Sequence, residues 1–317
     1  WECEALDELI CRVLSAKLDE QVTGDHRVWL LALRARLFNM QSRRRAFQVG
    51  ERHYDIGNDL YLAMLDRLMN YSCGYWQNAD SLDAAQEAKL DLICKKLNMQ
   101  EGMSVLDIGC GWGGLARFAA SRYHAQVVGT TVSKEQLKLA MELCKGLPVE
   151  IRLEDYRETK GQFDRVVSIG MLEHVGYRNY RTFMKTIDRC LKPNGVALLQ
   201  TIGNDKSATT SNPWTQKYIF PNGMIPSMAQ LSQATDGIFI IEDVHNLGPH
   251  YDPTLMAWHH NFHQAWPELK KKYDERFCRM WRFYLLSSAG GFRARHNQVW
   301  QLVLNRKGTK QPFRRII

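Results

Sequence analysis

From residue 103 onward the apolar positions of this 317-residue chain switch repeatedly between two periods. Short apolar runs at 103–108, 126–130, 149–153, 163–169, 196–202, 238–244 and 298–305 have the length of buried strands. Near 114–123, 133–145 and 178–191 apolar residues instead recur every three or four positions, the spacing of a helix with one buried face. The alternation predicts an α/β fold: a doubly wound, seven-stranded, mostly parallel sheet with its ligand at the carboxyl ends of the strands. Upstream, Leu82, Ala85, Ala88, Leu92, Ile93 and Leu97 predict a helix over 82–97, and Leu60, Met64 and Leu65 share a face of another. Leu6, Leu9, Ile10, Val13 and Leu14 give residues 1–40 a helical beginning.

Two stretches interrupt the alternation. One is 203–235, with Trp214, Tyr218, Phe220, Met224, Ile225 and Met228; the other is 250–292, helical and rich in aromatics from Trp258 to Tyr284. Aromatic stripes at helical spacing predict core packing for most of these side chains. Two apolar insertions above one sheet face can also wall a long apolar pocket. The expected organisation is an N-terminal helical region, 1–50, followed by a catalytic domain, 51–317. Within the latter, 51–100 is a helical cap, 101–202 the cofactor-binding core, and 203–235 and 250–292 the insertions at the substrate site.

Composition changes this picture little, but charge adds to it. A formal net charge of +8 argues for an anionic partner, either nucleic acid or an anionic lipid surface. The cluster Arg43-Arg44-Arg45 beside Phe47 is a candidate contact for phosphate head groups, or else a solvated helix end. The eight cysteines show no paired or metal-ligand spacing, which fits a reducing cytoplasm, and no metal site is expected. His259, His260 and His263 read as a polar helix face. No apolar run approaches the ~20 residues needed to span a bilayer. The chain begins at Trp1, so an upstream segment is expected to have been removed.

The candidate chemistry centres on Val105-Leu106-Asp107-Ile108-Gly109-Cys110-Gly111-Trp112-Gly113-Gly114. A strand that breaks into glycines and then opens a helix presents backbone N–H groups to a ligand. Gly109, Gly111 and Gly114 satisfy the dinucleotide pattern G-x-G-x-x-G, which alone would suggest NAD. Asp107 points elsewhere, since D-x-G-x-G resembles the first motif of class I S-adenosylmethionine-dependent methyltransferases. The second strand also ends in Thr130-Thr131-Val132-Ser133-Lys134-Glu135-Gln136, without the acid that would clamp an NAD ribose.

Several stretches in order make the resemblance narrower: His53-Tyr54-Asp55, Tyr71-Ser72-Cys73-Gly74-Tyr75-Trp76, the glycine loop, Ser168 to Gly176 around Glu173, and Lys217-Tyr218-Ile219-Phe220-Pro221. Together they closely resemble the bacterial cyclopropane-fatty-acyl-phospholipid synthases, over nearly the whole chain and without that family's usual N-terminal portion. The resemblance implies transfer of a methylene from S-adenosylmethionine to the cis double bond of an unsaturated phospholipid acyl chain. The resulting cation would be deprotonated by bound bicarbonate. It further implies a homodimer that is cytoplasmic and peripherally associated with the inner face of the cell membrane.

Carried over by motif, Tyr71 and Ser72 would contact the methionyl part of the cofactor, and Asp107, Gly109, Gly111, Trp112 and Gly113 would line it. Thr131, Val132 and Gln136 would meet the ribose and adenine edge, and Asp155 and Tyr156 would hold and cover the adenine. The resemblance assigns the bicarbonate to Glu173, Tyr251, backbone groups of Cys73 and Ile202, and residue 200. This chain carries Gln200 where many relatives have histidine, and Ser288 where some have cysteine. The second departure argues against thiol chemistry. The first keeps open a related lipid C-methyltransferase that leaves a methyl branch. A basic RNA methyltransferase is a further alternative, disfavoured by the apolar insertions, and no nucleic-acid partner is expected.

Overall fold

The computed structural model describes residues 2–21, 31, 34–35, 39–41 and 57–309. The motif His53-Tyr54-Asp55 and the cluster Arg43-Arg44-Arg45 lie outside the described residues.

Seven strands form one sheet: β1 (Ser104–Ile108), β2 (Gln126–Thr131), β3 (Val149–Leu153), β4 (Phe163–Ile169), β5 (Leu191–Gly203), β6 (Ile240–Asn246) and β7 (Gln298–Asn305). Their order is β3-β2-β1-β4-β5-β7-β6. The first five run parallel, and β7 inserts antiparallel between β5 and β6. The strands fall within two residues of where the apolar runs predict them, with one longer extension. β5 begins at Leu191 rather than 196, because Leu191 already pairs with Phe163 and the register slips before Val196 pairs with Arg165.

Helices cover both faces. In chain order they are α1 (Leu6–Ser15), α2 (Asn58–Met64), α3 (Leu82–Lys96), α4 (Gly114–Tyr123), α5 (Lys134–Leu143), α6 (Tyr180–Cys190), α7 (Met228–Thr235), α8 (Gly248–Leu269) and α9 (Glu275–Arg293), besides shorter turns. Local chemistry sets their beginnings. Ser81, Ser133, Ser227 and Asp274 each accept a backbone N–H of the first turn, satisfying a donor that has no helical partner.

The core has three parts. One packs α6 and α7 on a sheet face, around Phe183, Met184 and Ile187. A second packs α3 and α4 on the other, around Leu90, Ile93 and Ala119. The third belongs to the aromatic insertion: Trp258, Phe262 and Trp281 of α8 and α9 are buried against Leu60, Tyr61 and Met64 of α2. Core packing is thus the fate of these large rings, while Trp214, Phe220, Phe283 and Tyr284 face a cavity.

Candidate active site

A cleft lies beside the last residues of β1, β2 and β4, where Ile108, Thr130, Thr131 and Ile169 line it. Tyr71, Ser72, Asp107, Gly109, Gly111, Trp112, Thr131, Val132, Gln136, Asp155 and Tyr156 all line the same cleft. Gly111 has φ +57°, and a side chain built there would meet no protein atom within 4 Å. The same holds for Gly170, φ +66°, also on the cleft wall. Gly113, also in the expected set, is not among the lining residues. It is left-handed (φ 79°) at the start of α4, and a Cβ there would meet Cys144 Sγ at 2.9 Å. The turn and its packing require that glycine.

The cleft's polar groups are held before any ligand arrives. Thr131 Oγ1 donates to Gln136 Oε1 at 2.8 Å, and Gln136 N donates to Ser133 Oγ at 3.1 Å. Asp155 accepts from Arg157 N at 3.0 Å and pairs with Arg157 Nη1 at 2.8 Å. That guanidinium lies 4.5 Å from the centre of the Tyr156 ring, which packs edge-on against Phe183. Burial pushes the Asp107 carboxyl up to about 7, with Lys89 opposing the shift.

A second cavity of about 1000 Å³ adjoins the cleft. Tyr71, Ser72, Gly170 and His174 line both. All five residues expected at the chemistry, Cys73, Glu173, Gln200, Ile202 and Tyr251, line this cavity. They come from separate elements: the loop before α3, the turn after β4, two positions of β5, and α8. Two side chains of the 203–235 insertion, Trp214 and Phe220, and two of α9, Phe283 and Tyr284, add its apolar walls. Trp214 packs on Phe283 at 4.7 Å and Phe220 on Tyr284 at 5.9 Å.

The polar contacts refine the expected roles. Ile202, whose backbone groups the resemblance assigns to the anion, donates its N–H to Glu173 Oε1 at 2.6 Å. Glu173 Oε2 is buried with no hydrogen-bond partner within normal geometry among the described residues. Burial pushes the Glu173 carboxyl up to about 7. Its backbone carbonyl accepts from Met224 N at 2.9 Å, which ties the 203–235 insertion to the turn that carries it. Gln200 Oε1 accepts from Gln301 Nε2 at 2.9 Å across the paired strands. The Tyr251 ring lies 4.7 Å from Phe292 and 5.8 Å from Trp258. Cys73 Sγ donates to Gly74 O at 3.2 Å, and burial pushes its thiol pKa up, away from a reactive thiolate. His174 is half-buried, and burial brings its imidazole down to about 4.

Two residues of the site, Lys89 and Arg157, and one that supports it, Gln301, escaped sequence reasoning. Lys89 and Gln301 are polar yet 0% exposed, at positions where the apolar pattern predicts core. A lysine one position before Leu90, on the face that carries Ala85, Ile93 and Lys96, was the available signal for Lys89.

Known proteins fit this geometry. The mycolic acid cyclopropane synthetase family profile matches residues 41–302. The cyclopropane-fatty-acyl-phospholipid synthase of Escherichia coli K12 is 53% identical over 306 residues, covering 96% of this chain and 80% of the relative. A tuberculostearic acid methyltransferase of Mycobacterium tuberculosis is 38% identical over 276 residues, 81% of this chain and 64% of the relative. Among solved structures, a mycolic acid cyclopropane synthase complexed with SAH and CTAB superposes with a TM-score of 0.76 at 30% identity, covering 81% of this chain and 97% of that one. The glycine-loop cleft, the seven-stranded sheet with its reversed β7 and these matches agree: the chain belongs to the mycolic acid cyclopropane synthetase family of S-adenosylmethionine-dependent methyltransferases.

Proposed function

We propose that the enzyme transfers a methylene from S-adenosylmethionine to the cis double bond of an unsaturated phospholipid acyl chain, closing a cyclopropane ring with bicarbonate as the proton acceptor. One observation carries the reading. The cofactor cleft and a large, aromatic-walled cavity share Tyr71, Ser72, Gly170 and His174, and an unpartnered carboxylate oxygen of Glu173 lies in the wall beside that junction.

The cleft suits the cofactor: Gly111 and Gly170 leave room where any side chain would intrude, and Asp107 supplies a carboxyl. Asp107, Gly109, Thr131, Gln136 and Tyr156 would hold it, and when bound it supplies an electrophilic methyl group. At about 1000 Å³ the cavity is at the upper end of small-ligand pockets, which span roughly 300–1,000 Å³. Its apolar walls exclude water from a weak alkene nucleophile and fix the double bond near the cleft. The rings of Tyr71, Tyr251 and Tyr284 offer electron-rich faces to a cation on the acyl chain. Glu173 and Gln200 suit bicarbonate, one as acceptor for its hydroxyl and the other as amide donor to its anionic oxygens. Bicarbonate so held would supply a proton acceptor beside the reacting carbon.

The net charge and the Arg43-Arg44-Arg45 cluster support docking on an anionic lipid surface at the inner face of the membrane, and the family resemblance supports a homodimer. Among the described residues no helix is long and apolar enough to cross a membrane. A second reading, a lipid methyltransferase that leaves a methyl branch, is favoured by Gln200 and by the likeness to a tuberculostearic acid methyltransferase. Incubation with methyl-labelled cofactor and vesicles of unsaturated anionic phospholipid, followed by lipid mass analysis, tests the proposal. Label in a lipid that has lost its double bond supports it, and unlabelled lipid refutes it.

A further inference from the structure

Lys89 is a fully buried charge on the cleft wall that the chemistry above does not use. It sits on α3 among Leu90, Ile93 and Leu97, and all four are 0% exposed. An ammonium persists in such surroundings only with partners, because an unpaired buried charge is very costly. Its Nζ donates to Asn70 Oδ1 at 3.1 Å and to Ser72 Oγ at 3.0 Å. Asn70 in turn donates through N and Nδ2 to Asp66, at 2.7 and 2.9 Å. Nearly one turn before Lys89, Gln86 Nε2 donates to the carbonyl of Ser72 at 2.8 Å. Two residues of one helix face therefore grip both the side chain and the backbone of Ser72.

The glycine loop closes on this cluster from the other side. A Cβ at Gly114 would meet Leu68 O at 2.5 Å and Asn70 Oδ1 at 3.0 Å, so the start of α4 lies directly against the 66–72 segment. Burial lowers the Lys89 pKa to about 8, while Asp66, Cys73 and Asp107 raise it.

A serine hydroxyl has one proton and two lone pairs, whereas an ammonium can only donate. Ser72 Oγ must therefore accept from Lys89, which leaves its own proton to be given elsewhere, and Ser72 lines the cleft. We propose that Lys89 is a positioning residue for the cofactor: it fixes Ser72 so that the hydroxyl donates to the α-carboxylate of the methionyl group. This rests on the reading that the cleft holds S-adenosylmethionine. A hydrogen bond to an ionised acceptor is among the stronger ones, so its loss is measurable in binding.

The test is calorimetry on the full chain with two probes: S-adenosylhomocysteine, which carries the carboxylate, and 5′-methylthioadenosine, which lacks it. Lys89→Met should weaken S-adenosylhomocysteine about tenfold and leave methylthioadenosine within about twofold. Ser72→Ala should reproduce that selective loss, and adding Lys89→Met to it should cost little more, since the two act through one bond. If Lys89→Met does not fold, Ser72→Ala alone decides: unchanged S-adenosylhomocysteine affinity overturns the proposal. Equal loss of both probes in Lys89→Met would make Lys89 merely structural and also overturn it. A wild-type chain that binds neither probe would instead refute the cofactor reading on which the proposal rests.

Discussion

Ile202 N–H donates to Glu173 Oε1 at 2.6 Å, joining the turn after β4 to β5, while Glu173 Oε2 is buried without a hydrogen bond among the described residues. One carboxylate oxygen is thus held by the backbone of β5, and on the proposed function the other would serve the chemistry. Ile202, whose backbone groups the resemblance assigns to the anion, orients the side chain that would hold it.

Glu173→Gln should therefore depress turnover severely while leaving S-adenosylhomocysteine affinity nearly unchanged, because Glu173 is not among the residues lining the cofactor cleft. With its carboxyl pushed up to about 7, the acceptor form is lost as pH falls through that value. The wild-type rate should rise with pH through about 7, and a rate profile should show no such limb in the variant.

The same shift predicts a stability change with a definite sign. Between its ordinary value of 4.5 and about 7, Glu173 ionises more readily in the unfolded chain than in the folded one. Its burial therefore costs nothing below about 4.5, costs increasingly as pH rises to about 7, and costs a constant amount above. Glu173→Gln should gain thermal stability relative to wild type as pH rises across that window. Parallel melting curves at acid and alkaline pH would contradict it.

Gly111→Val should abolish cofactor binding in a folded protein. The residue is left-handed, a conformation that β-branched side chains strongly disfavour, and its Cβ position is open to the cleft. Calorimetry on the folded variant checks this, and full affinity would remove the glycine loop from the account.

Much of this architecture is legible in the chain itself. Strand runs and helical periods place the sheet, because burial on both faces demands continuous apolar runs. The glycine loop declares the cleft because only backbone can approach the ligand there. What stays hidden is polar and buried. Lys89, Gln301 and the Glu173–Ile202 contact depend on partners far apart in sequence, and no local period reports such pairing. Gly113 shows the converse: it belongs to the motif, but turn geometry and Cys144 account for it.

Gln301 offers a test of the anion site. It donates Nε2 to Gln200 Oε1, which leaves the amide N–H groups of Gln200 for the cavity. The opposite orientation would strand the N–H groups of Gln301 in the core, and buried orphan N–H groups are rarer than under-satisfied carbonyls. Gln301→Met keeps the volume and releases the amide. It should raise the bicarbonate concentration needed for half-maximal rate severalfold, and Gln200→Ala should do so more strongly. Assays in bicarbonate-depleted buffer with graded addition check both.

Ser288, on α9, lines the cavity and not the cleft. Ser288→Trp should obstruct the acyl chain, abolishing lipid turnover while S-adenosylhomocysteine still binds. Turnover equal to wild type would place the lipid elsewhere.

The central claim is ring closure by loss of a proton from the transferred carbon. S-adenosylmethionine bearing a trideuterated methyl group, incubated with vesicles of monounsaturated anionic phospholipid, reads it directly by mass spectrometry of the acyl chains. The account predicts a chain that has lost its double bond and gained a ring carbon carrying two deuterons. A methyl branch retaining all three would contradict it.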